Sequence, residues 1–337
     1  MWQVSDYGGD MAETIRWGIM GTGNIAAQFA RGLAALSDAE LVAVGSRAQQ
    51  SADAFADLFG ASRRHATYAD LANDPEIDAV YIATPHNLHK DNTLLCLDAG
   101  KAVLCEKPLA VNAGEAAEMI HAARAKKRFL MEAMWTRFFP LMGRVREMLG
   151  AGVIGEVRML LADLGFRMPF DPASRLFHPE LAGGALLDVG VYPVSLASMV
   201  LGAPTRITGM ADLGETGVDE QSAVILGYEN GQLAVLLSAL RTVTPQAAHI
   251  LGTAGRIHLH RQWWTPAALT LSLEGQDDQM IEAPFEGNGY NYEAAEVGRC
   301  LREGQLESDV MPLDESLSIM QTLDAIRAQW GLRYPME

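Results

Sequence analysis

Ile15-Arg16-Trp17-Gly18-Ile19-Met20-Gly21-Thr22-Gly23-Asn24-Ile25-Ala26 reads as an apolar strand running into a glycine-rich turn and the opening of a helix. Strand, Gly-x-Gly-x-x-small turn and helix, in that order, begin a βαβ unit that binds a dinucleotide. Gly21 permits the tight turn and Gly23 lets the backbone approach a pyrophosphate. Thr22, Asn24 and Ile25 stand where backbone N–H groups at a helix N-terminus meet phosphate oxygens. Ala26 meets the need for a small third residue less fully than glycine. A glycine-containing turn without a ligand is the competing reading, and the context outside the motif weighs against it.

That context is alternation. Helical spacing over residues 24–36 (Ile25, Phe29, Leu33, Leu36) is followed by a strand at 41–45, a helix at 49–59 and a buried strand at 78–83. A helix at 90–99, a strand at 102–105, a helix at 111–126 and a strand at 129–133 complete the run. Strands alternating with helices of this length predict right-handed crossovers and a parallel sheet. Beyond residue 155 the rhythm changes. A strand at 156–165 and a helix at 185–201 precede strand-like runs at 206–210, 221–228, 233–240, 247–252, 255–260 and 269–273. The turn Glu229-Asn230-Gly231 joins two of them as a hairpin. Helices at 290–302 and 313–329 end the pattern. The expected fold class is therefore α/β. A Rossmann dinucleotide-binding domain spans 14–134. An α+β domain with a large, mostly antiparallel open sheet spans 135–337 and serves substrate binding and dimerisation. Its last helix is placed to return to the first domain.

Bulk properties narrow the function classes. At 337 residues, 49% hydrophobic and 20% charged, the chain is long for one core, and two domains are expected. A formal charge of −16 argues against nucleic acid or anionic lipid as the main partner. Cys96, Cys105 and Cys300 fit neither a disulfide framework nor a zinc spacing, so no metal is expected. No apolar run is expected to span a membrane. The first dozen residues carry Asp6 and Asp10 without an apolar core and do not read as a signal peptide. A cytoplasmic location is the default expectation.

The end of the second strand decides the cofactor. A carboxylate there would bind a ribose 2′-hydroxyl, whereas the chain has Ser46 and Arg47. Ser46 can donate a hydrogen bond and Arg47 can pair with a 2′-phosphate, so NADP is preferred, with NAD as the alternative. Arg47 also reads as a solvated helix-start residue. Ala83 and Thr84 end the next strand where a ribose and nicotinamide would pass. Pro85 keeps Thr84 extended. Asn87 reads either as a ligand or as the cap of the helix carrying His89. His86 is counted among the cofactor-binding candidates, while His86 and His89 read equally as surface or packed histidines, and neither reads as catalytic.

Glu106-Lys107-Pro108 closes the strand at 102–105, at the carboxyl edge where open α/β sheets bind their ligands. It reads either as a charged turn or as a lysine aimed at a substrate oxygen, with Glu106 pairing with it or anchoring the turn. In Gly183-Gly184-Ala185-Leu186-Leu187-Asp188-Val189-Gly190-Val191-Tyr192, Asp188 and Tyr192 are four apart. On a helix that spacing brings a carboxylate and a phenol to one face, which reads as a proton-handling pair. On these residues alone the stronger reading is a helix N-terminus, with Asp188 satisfying backbone donors and Tyr192 half buried.

From residue 15 to 335 the chain resembles the glucose–fructose oxidoreductase and inositol dehydrogenase (Gfo/Idh/MocA) family. The likeness rests on the GTGNIA turn, the EKPLA segment and the GGALLDVGVY helix. Three further stretches resemble its dimeric dihydrodiol dehydrogenase and NADP-dependent D-xylose dehydrogenase branch. They are Met131-Glu132-Ala133-Met134-Trp135-Thr136-Arg137-Phe138-Phe139-Pro140, Glu215-Thr216-Gly217-Val218-Asp219 and Asn291-Tyr292-Glu293-Ala294. The resemblance implies a lysine role for Lys107, an orienting aspartate at Asp188 and an acid/base at Tyr192, where many members carry histidine. It also places the Trp135 ring against nicotinamide and substrate. A core position for Trp135 beside Phe138 and Phe139 is the alternative. Phe166, Arg167, Arg175 and Phe177 precede the Asp188 helix, and an arginine among aromatics suits a polyol with one apolar face.

The expected function follows. The chain would be an NADP-dependent dehydrogenase passing hydride from a secondary or hemiacetal C–H of a small sugar, polyol or trans-dihydrodiol to nicotinamide C4. Tyr192 would take the hydroxyl proton, its pKa lowered by Lys107. A non-catalytic dinucleotide-sensing regulator and an NAD-assisted glycoside hydrolase are the alternatives. Apolar residues on both faces of runs such as Ala223-Val224-Ile225-Leu226 predict a homodimer packed sheet against sheet.

Overall fold

The structure, a computed structural model, describes residues 13–337. The reading of the first dozen residues lies outside the described residues. The first sheet has six parallel strands in the order β3-β2-β1-β4-β5-β6. They are β1 (Ile15–Met20), β2 (Ala39–Gly45), β3 (Arg63–His65), β4 (Ala79–Ile82), β5 (Ala102–Glu106) and β6 (Leu130–Ala133). The helices between them are α1 (Asn24–Leu33), α2 (Gln49–Phe59), α3 (Tyr68–Ala72), α4 (His89–Asp98) and α5 (Ala113–Lys126). The order reverses between β1 and β4, and that switch opens the crevice in which such sheets bind ligands. Every residue of β4 and β5 is buried, as strands covered on both faces must be. Trp17, Phe29 and Tyr81 lock α1 to the sheet. Phe29 meets Trp17 edge-on at 5.2 Å and stacks on Tyr81 at 3.7 Å. Burying Phe29 and Leu33 contributes about 1.5–3 kcal/mol each.

Two elements here lack a sequence signal. β3 is polar and short, an edge strand held by β2 and by Asp74, whose carboxylate takes Arg63 and, at 2.8 Å, His65. α3 follows, with Thr67 Oγ1 accepting the Asp70 N–H at 3.0 Å as its cap.

The second sheet has eight strands in the order β14-β13-β12-β11-β7-β10-β9-β8. After α6 (Pro140–Gly150), which the sequence reading lacked, come β7 (Val157–Gly165), α7 (Val191–Leu201), β8 (Arg206–Leu213), β9 (Asp219–Gly227) and β10 (Leu233–Ala239). Then follow β11 (Ala248–Gly252), β12 (Gly255–Leu259), β13 (Ala268–Leu273) and the polar edge strand β14 (Gln279–Glu282). All pairs are antiparallel except β7 with β10. α8 (Tyr290–Arg302) and α9 (Leu313–Ala328) end the element order. α9 returns to the first sheet's helices, where Asp324 accepts the Ala113 N–H at 2.8 Å and Asp314 pairs with Arg124 at 2.8 Å.

One face of the second sheet is buried through Leu160, Ala162, Val224, Leu226, Ala234 and Leu236. On β8, β9 and β10 the opposite face shows Met210, Ile225 and Leu237 at 81%, 43% and 38% exposure. The expected helix at 185–201 is two pieces, a π turn at Leu186–Gly190 leading into α7. Contrary to expectation, the stretch Pro179–Leu201 is apolar and long enough to cross a membrane. Most of it is buried inside the fold.

Candidate active site

A cleft of about 650 Å³ runs from the β1–α1 turn to the π turn. Its floor is the carboxyl edge of the first sheet. At one end Gly21 adopts φ +110°, and a Cβ there would lie 2.8 Å from the Ala83 carbonyl oxygen, so the turn and the end of β4 touch only through glycine. Space above Gly23 is open, and no side chain caps α1. Free helix-start N–H groups beneath open space fit a pyrophosphate. Ser46 and Arg47, at the end of β2, line the same end together with Tyr68 from α3. Tyr68 is a contributor that sequence reasoning missed, because α3 itself was not visible.

Of the other sequence-predicted residues, Thr22, Asn24, Ile25, Ala83, Thr84, His86, Glu106, Lys107, Phe166, Asp188 and Tyr192 all line the cleft. Asn87, Arg167 and Trp135 do not. Asn87 instead donates Nδ2 to the Glu180 carbonyl at 3.0 Å, and α4 has no side-chain cap. Arg167 forms an isolated backbone bridge with Arg241. Its bridge partner Arg241 is the one that stands over the neighbouring rings, 5.4 Å from Phe170 and 6.0 Å from Phe177. Trp135 stacks on Tyr290 at 4.4 Å and donates its indole N–H to Tyr192 Oη at 2.9 Å. It therefore acts on the site through Tyr192.

Chemistry concentrates at the other end. Lys107 Nζ donates to the backbone carbonyl of Asp188 at 2.8 Å and lies 4.8 Å from the centre of the Tyr192 ring. The Asp188 carboxylate pairs with Arg175 at 2.8 Å. Arg175 was only one of several candidates on its segment, since nothing in a loop sequence says which arginine turns inward. Burial opposes ionisation of Asp188, but Lys107 and Arg175 more than offset it and hold its pKa at about 2. Burial likewise opposes the Lys107 charge, and Tyr192, Asp188 and Glu106 outweigh it, so the ammonium is retained. For Tyr192 burial wins over Lys107 and the pKa is raised. The sequence expectation that the cation leaves it below its ordinary value is corrected: the phenol here keeps its proton. Glu106 accepts from Tyr81 Oη and from the Lys107 N–H, and burial raises its pKa.

His86 and His89 are buried, and burial lowers both, His89 to about 4. His89 places its ring nitrogens 2.8 and 2.9 Å from the carbonyls of Pro108 and Thr84, bracing the Lys107 turn against the end of β4.

A parallel sheet in the 3-2-1-4-5-6 order, with a glycine turn at its switch point and a lysine–tyrosine pair at the far end, defines a dinucleotide-dependent oxidoreductase. Family comparison agrees. Residues 15–134 match the model of the oxidoreductase family with an NAD-binding Rossmann fold, and residues 142–258 match the Gfo/Idh/MocA C-terminal domain. The chain is 39% identical to a trans-1,2-dihydrobenzene-1,2-diol dehydrogenase of Mus musculus, covering 96% of this chain and 99% of that protein. It is 36% identical to a D-xylose 1-dehydrogenase (NADP(+)) of Hypocrea jecorina, covering 96% and 93%. A 3-ketoreductase from Actinomadura kijaniata, solved with NADP and TDP-benzene, superimposes with a TM-score of 0.85 at 26% identity, covering 94% of this chain and 98% of that one. An aldose-aldose oxidoreductase from Caulobacter crescentus, at 24% identity and TM-score 0.85 over 95% and 99% of the chains, shares the fold. The chain belongs to the Gfo/Idh/MocA oxidoreductase family.

Proposed function

We propose that this chain is an NADP-dependent dehydrogenase oxidising a secondary or hemiacetal hydroxyl of a small sugar, polyol or trans-dihydrodiol. The observation that carries it is the Lys107 ammonium held between the Asp188 carbonyl and the Tyr192 ring, in the cleft that begins at the glycine turn. A nicotinamide dinucleotide bound in the cleft would supply the hydride acceptor. Ser46 and Arg47 would hold its adenosine end, and the absence of a carboxylate at these two positions favours a 2′-phosphate. Tyr192 Oη already accepts the Trp135 N–H, so its own O–H is free to face the substrate oxygen. Oxidation uses Tyr192 as the phenolate, with its own proton released to solvent and the oxyanion on Oη stabilised by Lys107 and the indole N–H. That oxyanion takes the proton of the substrate hydroxyl as hydride leaves the carbinol carbon, and reduction runs the reverse. Asp188 keeps Arg175 at the cleft wall, where its remaining donors can take substrate hydroxyls.

The test is a panel of aldoses, polyols and dihydrodiols, following the absorbance of reduced nicotinamide. Stoichiometric reduction supports the dehydrogenase. Silence across the panel with tight dinucleotide binding supports a sensing regulator. Glycoside cleavage with no net reduction supports NAD-assisted hydrolysis.

We also propose that two copies pack through the outer face of the second sheet, supported by its exposed Met210, Ile225 and Leu237. Three buried, unpaired thiols suit a reducing compartment, and we place the protein in the cytoplasm on that basis. A charge of −16 supports a small-molecule partner over nucleic acid or an anionic membrane.

A further inference from the structure

Asp219, the first residue of β9, is fully buried, yet among the described residues it has no cationic partner. One carboxyl oxygen, Oδ2, accepts the Leu186 N–H at 2.7 Å. The other, Oδ1, has no hydrogen-bond partner and rests against Gly184. Gly184 has φ +118°, and a Cβ there would occupy the place of Oδ1. Gly183 is hemmed in on its own side, with the Arg175 and Leu176 carbonyl oxygens 2.6 and 2.7 Å from where its Cβ would be. Tyr334 Oη donates to the Gly183 carbonyl at 2.8 Å, and Gly184 N–H donates to the Leu176 carbonyl at 2.8 Å. The glycine pair thus joins the segment carrying Arg175 to the π turn carrying Asp188, and Asp219 grips it from behind.

We propose that Asp219 is a positioning residue: its carboxylate, seated against Gly184 and accepting the Leu186 N–H, fixes the glycine turn so that Arg175 meets Asp188 and Tyr192 is held beside Lys107. The π turn has no side-chain cap of its own. Its Asp188 N–H donates to the Gly184 carbonyl at 3.3 Å, and Asp219 provides the acceptor for the Leu186 N–H. An ionised acceptor binds an N–H about twice as strongly as a neutral one. Burial pushes the Asp219 pKa up to about 7, so the strength of this anchor changes at neutral pH. The ionisable groups around it are Tyr334, backed by Arg327, Asp324 and Glu337, and Glu220, which is held by Arg241. On neighbouring β8 the residue registered with Asp219 is the uncharged Leu213.

The inference rests on the dehydrogenase reading for its kinetic arm only. Three variants of the full chain test it: Asp219→Ala, Asp219→Asn and Gly184→Ala. In the Ala variants the Leu186 amide should lose protection from hydrogen exchange while global melting remains cooperative, and in Asp219→Asn protection should persist. Turnover should fall about tenfold or more in the Ala variants, with cofactor KM little changed, because a small misplacement near the chemistry costs up to ~100-fold. Wild-type kcat should rise through pH 7, and Asp219→Asn should lose that step. A folded-state pKa raised above the unfolded value means the carboxyl stabilises the fold at low pH and costs stability as pH rises through about 7. Asp219→Asn should therefore melt no lower than wild type at alkaline pH. Unchanged Leu186 exchange in Asp219→Ala, or a pH step that survives in Asp219→Asn, would overturn the proposal. Absence of wild-type turnover on every substrate counts against the dehydrogenase reading alone, since amide exchange still reports on the anchor.

Discussion

Lys107 gives up hydrogen bonds to water to sit between a carbonyl and a phenol ring, and it keeps its charge because Tyr192, Asp188 and Glu106 surround it. Lys107→Met should lower kcat by ~100-fold or more, and Tyr192→Phe should do likewise, since general acid–base assistance is worth about that much. Dinucleotide affinity measured by fluorescence should change little in Tyr192→Phe. Because burial raises the Tyr192 pKa, oxidation should quicken on the alkaline side and the reverse reduction should slow, and Tyr192→Phe should flatten both limbs. Near-wild-type rates in both variants would remove them from the chemistry. At the far end of the cleft, Arg47→Asp should weaken NADP by roughly ten- to hundredfold and spare NAD, the loss of a charge-assisted phosphate contact. Equal losses in a titration with both cofactors would show that Arg47 does not read the 2′ position.

Most elements built from periodic apolar residues were legible in the sequence to within a residue or two, but α1 ends three residues before its pattern, β8 runs three residues past it, and α6 was missed. α2 and α8 begin and end where their patterns do. β3, α3 and β14 were not legible, because they carry little apolar signal and exist through pairing and caps made in three dimensions. The helix at 185–201 shows a different limit. Its composition predicts helix, but the π turn depends on a carboxylate that arrives from β9. The Asp188–Tyr192 spacing thus drew attention to two residues that line the cleft while missing what each touches: Arg175 and Trp135. No periodicity encodes those contacts. Caps offer a simple check at this scale. Asn112 Oδ1 accepts the Glu115 N–H at 2.9 Å at the start of α5, so Asn112→Ala should cost about 1 kcal/mol in urea unfolding.

For the whole molecule, the outer face of the second sheet is where two copies are proposed to meet. Ile225 lies on β9, registered between Thr208 of β8 and Val235 of β10. Placing a carboxylate there should prevent two such faces from drying against each other. Ile225→Asp should therefore scatter light as a 36.5 kDa monomer with an unchanged circular dichroism spectrum, while the unsubstituted chain should scatter with twice that mass. A dimer mass for both would place the interface elsewhere, and a monomer mass for both would overturn the homodimer.

The return of α9 to the first sheet has a consequence for how the chain is made. The Leu130 N–H on edge strand β6 donates to the Leu306 carbonyl, the Ala113 N–H at the head of α5 donates to Asp324, and Asn112 donates to Glu337. The dinucleotide half is translated before residues 306–337, which seal it. A nascent chain paused after β6 has an unguarded strand edge and an α5 whose Ala113 N–H lacks its acceptor, and an unguarded edge invites misassociation. Cofactor capture should accordingly lag behind synthesis of the glycine turn and wait until residues 306–337 have left the ribosome.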